Sequence, residues 1–260
     1  MNRSIAERGG NILALFFTLA VNGMANGIPL GGQTTGEISD KFPSLFTPAG
    51  YVFSIWGLIY LGLMVLVVWQ ALPAQRANQN LAAIHRPFIA SCLCNAAWIF
   101  AWHYDFLVLS LVIMVALLTS LVLMYRTLNI GLSTAPTSER WIVHLPLSIY
   151  IGWICVATIA NISAIQIDRG WDNTFLDATT WTVSKLALAG AVASVMLYRR
   201  GDVAFMSVVI WASVGIYVKH SDVGAIQGAS LTVVLSGLLL IAFHLANQFP
   251  SGEKSRAQHR

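Results

Sequence analysis

Residues 106–128 read FLVLSLVIMVALLTSLVLMYRTL, with Arg126 as the one charged side chain, near the far end. A run of this length can carry a helix across the hydrocarbon core of a bilayer, which takes about 20 apolar residues. Its side chains do not alternate with period two, so it is not a strand of a membrane barrel, and in hydrocarbon the backbone must then bond within its own segment as a helix. Seven further apolar runs flank it, near 11–27, 49–71 and 87–103 on one side and 145–166, 178–198, 203–219 and 225–247 on the other. Over its 260 residues the chain is 57% hydrophobic but only 10% charged, where a soluble domain carries roughly 25% charge. Too few polar side chains remain to cover a water-soluble globule, so a soluble enzyme is excluded. The fold class is all-α, a polytopic membrane bundle of about eight transmembrane helices.

The net charge of +4 does not point to nucleic acid, because the cations are spread between apolar runs, where they set orientation. With the N-terminus placed in the cytoplasm, Arg3, Arg8, Arg76, Arg86, Arg126, Arg140, Arg199, Arg200, Lys254, Arg256 and Arg260 share one side, against Lys41, Arg169 and Lys219 on the other. This positive-inside bias predicts that both termini are cytoplasmic and that the protein is a multi-pass component of a plasma membrane of bacterial inner-membrane type. The basic start and apolar stretch Ile12–Val21 also fit a signal peptide; a retained first helix is the other reading. Cys92, Cys94 and Cys155 fall inside apolar runs and read as small packing residues.

Three runs carry stripes of aromatic and amide side chains. Phe53, Trp56 and Tyr60 share one face of the second run; Ser91, Asn95, Trp98 and Trp102 repeat the spacing in the third; Tyr150, Trp153, Ala157 and Asn161 do so in the fifth. Such stripes serve either as packing or as a pocket. Trp69, Trp102, Trp141, Trp171 and Trp181 lie near span ends and read as interfacial belts. Trp56, Trp98 and Trp153 lie deeper, and Asn95 and Asn161 must find partners in hydrocarbon, which favours a shared interior site. The loop from Ile28 to Thr47 lies above it and is placed to act as a lid.

These residues resemble the TspO/MBR family, the translocator or tryptophan-rich sensory proteins. Pro48-x-Gly50-Tyr51-Val52-Phe53 followed by Trp56 and Tyr60 is similar to the start of that family's second helix. Asn95-x-x-Trp98 is similar to its third, and Tyr150-x-x-Trp153-x-x-x-Ala157-Thr158-x-x-Asn161 to its fifth. The resemblance covers a five-helix core over 8–166 and leaves 167–250 as three additional helices and 251–260 as a polar cytoplasmic tail. It implies a non-enzymatic receptor or carrier that needs no cofactor and binds a hydrophobic planar molecule of porphyrin or tetrapyrrole type for sensing or transport. Its implied ligand-binding residues are Phe53, Trp56, Tyr60, Asn95, Trp98, Tyr150, Trp153, Ala157 and Asn161. The chain departs from the family pattern in three places: Phe53 to Trp56 is one residue short, the first loop lacks Trp, and the proline before Tyr150 stands at Pro146. No Tyr follows Asn161 over Ile162–Arg169, so the sterol-recognition pattern is absent.

Lys185 lies within the sixth run, where it either snorkels outward, anchors a ligand carboxylate such as a porphyrin propionate, or holds a retinal Schiff base; for the last, no acidic residue within a span serves as counter-ion. His244 is expected to donate a hydrogen bond between helices, and His85, His103 and His144 to be wet. Ala187-x-x-x-Ala191, Gly190-x-x-x-Ser194 and Gly224-x-x-x-Gly228 allow close helix approach, to the core or to a second copy in a homodimer. The alternative function is a membrane enzyme acting on an isoprenoid or polyene, for which the chain offers no catalytic pair.

Overall fold

The computed structural model describes residues 2–28 and 30–248; the tail at 251–260, with Lys254, Arg256 and Arg260, lies outside the described residues. Eight long helices occupy the eight apolar runs: α1 (Ile5–Gly27), α3 (Ile55–Ala71), α4 (Gln79–His103), α5 (Leu107–Thr127), α6 (Leu145–Asp168), α7 (Ala178–Arg200), α8 (Val203–Lys219) and α9 (Gly224–Gln248). A short helix, α2 (Thr35–Lys41), lies in the first loop, and no strand occurs among the described residues. Five of the helical segments are long and apolar enough to cross a membrane: 50–71, 107–127, 137–168, 178–200 and 224–248. The other three fall short for visible reasons. Polar side chains dilute α1 (Glu7, Arg8, Asn11, Asn22) and the first half of α4 (Gln79, Asn80, His85, Arg86), while α8 has only 17 residues.

Local chemistry sets the helix ends. Ser4 with Glu7 and Thr34 with Glu37 form reciprocal capping boxes at α1 and α2. Asn78, Asp177 and Asp202 each accept a backbone N–H in the first turn of α4, α7 and α8. Gly201, in the left-handed region at φ 63°, ends α7 and turns the chain directly into α8.

α6 is the central helix. In its segment 61% of the apolar window is buried, against 17% for α9, and it touches α3, α5 and α8. Pro146 near its start cannot donate to the preceding turn, and a π-helical turn, Arg140–His144, leads into α6 with Leu145 N–H bonded to Arg140 O. The proline ring then packs against Gly62 of α3, where a Cβ would lie 2.7 Å from Pro146 Cβ. The displaced proline therefore has its complement in this chain.

Polar braces tie α1 into the bundle. Gln70 of α3 is fully buried and accepts from Arg3 and, at 3.0 Å, from Asn11, while Arg8 donates to Ala71 O at 3.0 Å. Contacts between loops confirm the alternation of ends. Asn78 meets Glu139 and Arg200 meets Ile130 at one end; Lys41 meets Asp105 and Lys219 meets Asp40 at the other. The last three helices are packed on the core. Gly215 of α8 leaves no room for a Cβ, which would fall 2.1 Å from Val52 Cγ2, and its carbonyl accepts from Ala49 N–H at 3.1 Å. Gly190 of α7 meets Val233 of α9, whereas Gly224 and Gly228 face open space.

Candidate functional site

The aromatic stripes converge between α3, α4 and α6, under α2 and the chain leading to Pro48. Phe53, Trp56, Trp98, Trp153, Ala157 and Asn161 border one cavity, together with Trp102, Ser39 and Pro48. Phe53 sits in a 3-10 turn, Gly50–Ser54, that precedes α3. The Trp153 indole makes T-shaped contacts with two rings, Phe53 at 5.8 Å and 85° and Trp56 at 6.2 Å and 86°. Trp56 stacks on Tyr60 at 5.3 Å, and Trp98 stacks on Trp102 at 5.5 Å. Both arrangements are favourable aromatic geometries.

Tyr60, Asn95 and Tyr150 do not border the cavity. They join a hydrogen-bond network beside it. Asn95 Oδ1 accepts from Asn22 Nδ2 at 2.8 Å and from Tyr60 OH at 3.3 Å, and Asn95 Nδ2 donates to Tyr150 OH at 2.7 Å. This network links α1, α3, α4 and α6 and satisfies each polar group in the low-dielectric interior. Asn161 is satisfied by Ser110, its Nδ2 donating at 2.9 Å. By contrast Trp98 Nε1 and Trp153 Nε1 are buried without a hydrogen-bond partner among the described residues, although both rings border the cavity.

The free volume is about 30 Å³, room for a water or two and far below the roughly 300–1,000 Å³ of pockets that take organic ligands. The site is closed. α2 and the following chain close it: Trp102 Nε1 donates to Thr35 O at 3.3 Å, Ile38 and Phe46 are 1% exposed, and His220 Nε2 donates to Thr47 O at 3.0 Å. Burial lowers the His220 pKa below its ordinary value, with Lys219 adding to the effect and the Thr47 bond and Asp222 opposing it.

Several expectations are corrected. Trp102 is 5% exposed and part of the cavity wall, not an interfacial belt residue; its i+4 spacing from Trp98 was the available signal. Lys185 is not with the aromatic residues. Its ammonium donates to Ser163 Oγ at 2.8 Å and to Gln166 on another face of α6, beside a separate cavity of about 50 Å³ near Trp181. His103 and His144 are buried, with His103 Nδ1 donating to Ile99 O at 2.8 Å. His244 pairs with Gln248 of its own helix, not with a neighbouring helix. Ser39 and Pro48 carried no periodic signal, because they come from the loop.

Comparison with curated proteins and with solved structures returns no match. A family model described as TSPO-like protein matches residues 8–245. Because that match runs from the first helix almost to the end of the last, taking in the three helices beyond the resembling core, the chain belongs to the TSPO-like family.

Proposed function

We propose that this integral membrane protein is a non-catalytic receptor or carrier, used in sensing or transport, whose aromatic cavity opens to take a hydrophobic planar ligand of tetrapyrrole type. The observation that carries the reading is the pair of indole N–H groups, on Trp98 and Trp153, buried against the same cavity with no partner among the described residues. Each such group costs about 1–3 kcal/mol. A flat ligand with ring nitrogens or carboxylates at its edge would relieve both while stacking on Trp56 and Trp98. All eight long helices cross the bilayer in this reading, the shorter α8 included.

Adding protoporphyrin IX to the purified protein in lipid nanodiscs should quench tryptophan fluorescence saturably, above the level seen in empty nanodiscs corrected for absorption. Trp98→Phe and Trp153→Phe keep an aromatic ring, though a smaller one, and remove the donor, and each should weaken binding about tenfold. Absence of saturable quenching, or unchanged affinity in both variants, would leave the stripes as packing only.

A further inference from the structure

Two cavities at the end of the bundle that carries Arg140, Arg199 and Arg200 share a wall. One is a polar chamber of about 500 Å³ bordered by those three arginines, His144, Ser148 and Asp202. The other is an apolar groove of about 650 Å³ on the outside of the bundle, between α3, α6 and α8. Leu58, Trp141 and Trp211, which border the groove, are 54%, 67% and 37% exposed. Leu145, Val203 and Ala204 border both spaces, so the chamber and the groove lie side by side, one residue layer apart.

Among the described residues three arginines and one carboxylate border the chamber, which leaves it an excess of positive charge. Its single carboxylate is engaged already: Asp202 Oδ2 accepts from Tyr125 OH at 2.7 Å and Ser148 Oγ at 2.8 Å, and Oδ1 accepts from Phe205 N at 3.0 Å. Arg140 donates to Ser133 O and Ala135 O, and Arg200 to Asn129 and Ile130 O, all neutral acceptors. Among the described residues none of the three arginines forms a salt bridge. Guanidinium groups bind phosphate through paired charge-assisted hydrogen bonds. Beside an exposed apolar groove on the outside of the bundle, such a cluster calls for an amphiphile.

We propose that the two adjacent cavities together bind one anionic phospholipid of the surrounding bilayer, with its phosphate against Arg199, Arg200 and Arg140 and an acyl chain laid over Leu145, Val203 and Ala204 into the groove between Trp141 and Trp211. A free phosphate would satisfy the arginines equally well, but it would leave the groove without a role. The site is separate from the aromatic cavity and independent of what that cavity binds.

The test uses the full chain in phosphatidylcholine nanodiscs doped with chain-brominated phosphatidylglycerol or chain-brominated phosphatidylcholine. Bromine on the chain quenches tryptophans it touches, so Trp141 and Trp211 report occupancy, while other lipid-facing tryptophans respond alike to both lipids. The anionic lipid should reach half-quenching at a mole fraction about fivefold or more below that of the zwitterionic one. Arg199→Gln, at a side chain with no hydrogen bond or ion pair among the described residues, should remove about a fivefold share of that preference, and Trp141→Phe should reduce the lipid-specific signal. Equal quenching by both lipids overturns the proposal. So does full loss of the preference on adding inorganic phosphate but not chloride at matched ionic strength, which would assign the chamber to a free anion.

Discussion

Asn95 shows how a single amide can tie a helix bundle together. It uses both ends of its side chain on Asn22, Tyr60 and Tyr150, so replacing it leaves three polar groups short of a partner. Hydrogen bonds between membrane helices contribute about 0.6 kcal/mol on average and up to about 1.7. Asn95→Leu should therefore cost about 1–3 kcal/mol, read as a lower unfolding temperature in detergent, and an unchanged temperature would mean that the network is not a brace. Lys185 gives the opposite kind of test. With its ammonium held by Ser163 and Gln166 away from the aromatic cavity, Lys185→Met should leave the affinities for a dicarboxylate porphyrin and its dimethyl ester in the same ratio as in the parent. A selective loss for the dicarboxylate would place the lysine at the ligand after all.

At the scale of elements, α2 and the loop behind it decide access. Two ion pairs latch them, Lys41–Asp105 at 3.1 Å and Lys219–Asp40, with 34%/49% and 29%/58% of the side chains exposed. Exposed pairs contribute at most about 1 kcal/mol each. Ile38 and Phe46, both fully buried, contribute about 1.5–3 kcal/mol each, so the apolar plugs outweigh the latches. Ile38→Ser or Phe46→Ser should speed porphyrin association and raise hydrogen exchange over 35–48, whereas Lys41→Ala should change either by little; the reverse order would overturn this account. pH acts through His220. Because burial lowers its pKa in the closed loop, the closed form is favoured while the ring is neutral. That contribution is intact above the free value of about 6.5 and is lost as pH falls through it, since the open loop then binds more protons. Protection factors over the Thr47 segment, which remove the intrinsic pH dependence of amide exchange, should accordingly fall between pH 7 and 5.5, and His220→Gln should flatten the fall. Glu37 behaves as a cap, its pKa lowered by the Thr34 backbone and side-chain bonds. Its support of α2 is therefore present through neutral pH and lost only when pH falls below the ordinary carboxylate range.

At the scale of the whole molecule, the helix order brings Arg76, Arg140 and Arg200 to one end and Lys41, Arg169 and Lys219 to the other. Cysteines introduced at Ala77 and Asn173, in a background where Cys92, Cys94 and Cys155 are replaced by Ala, should be labelled by membrane-impermeant reagents from opposite faces, Ala77 from the cytoplasmic one. Labelling of both from one side would break the eight-helix topology.

Helix number, order and approximate bounds were legible from residue order alone, because in hydrocarbon an apolar run must bond its own backbone, and no tertiary contact is needed to impose that. The convergence of Trp56, Trp98 and Trp153 was legible too, since 3.6-residue periodicity places such side chains on one face and a buried amide marks that face as interior. Whether those faces enclosed a space was not. That depends on side-chain rotamers and on a loop without periodicity, which adds Ser39 and Pro48 to the wall of a cavity of only about 30 Å³. Tertiary structure likewise decided that Asn95 braces four helices, that Lys185 turns to Ser163, and that Arg140 borders the same cavity as Arg199 and Arg200 beside an exposed apolar groove. Each of these depends on the rotation of one helix against another, which the period of a single helix leaves free.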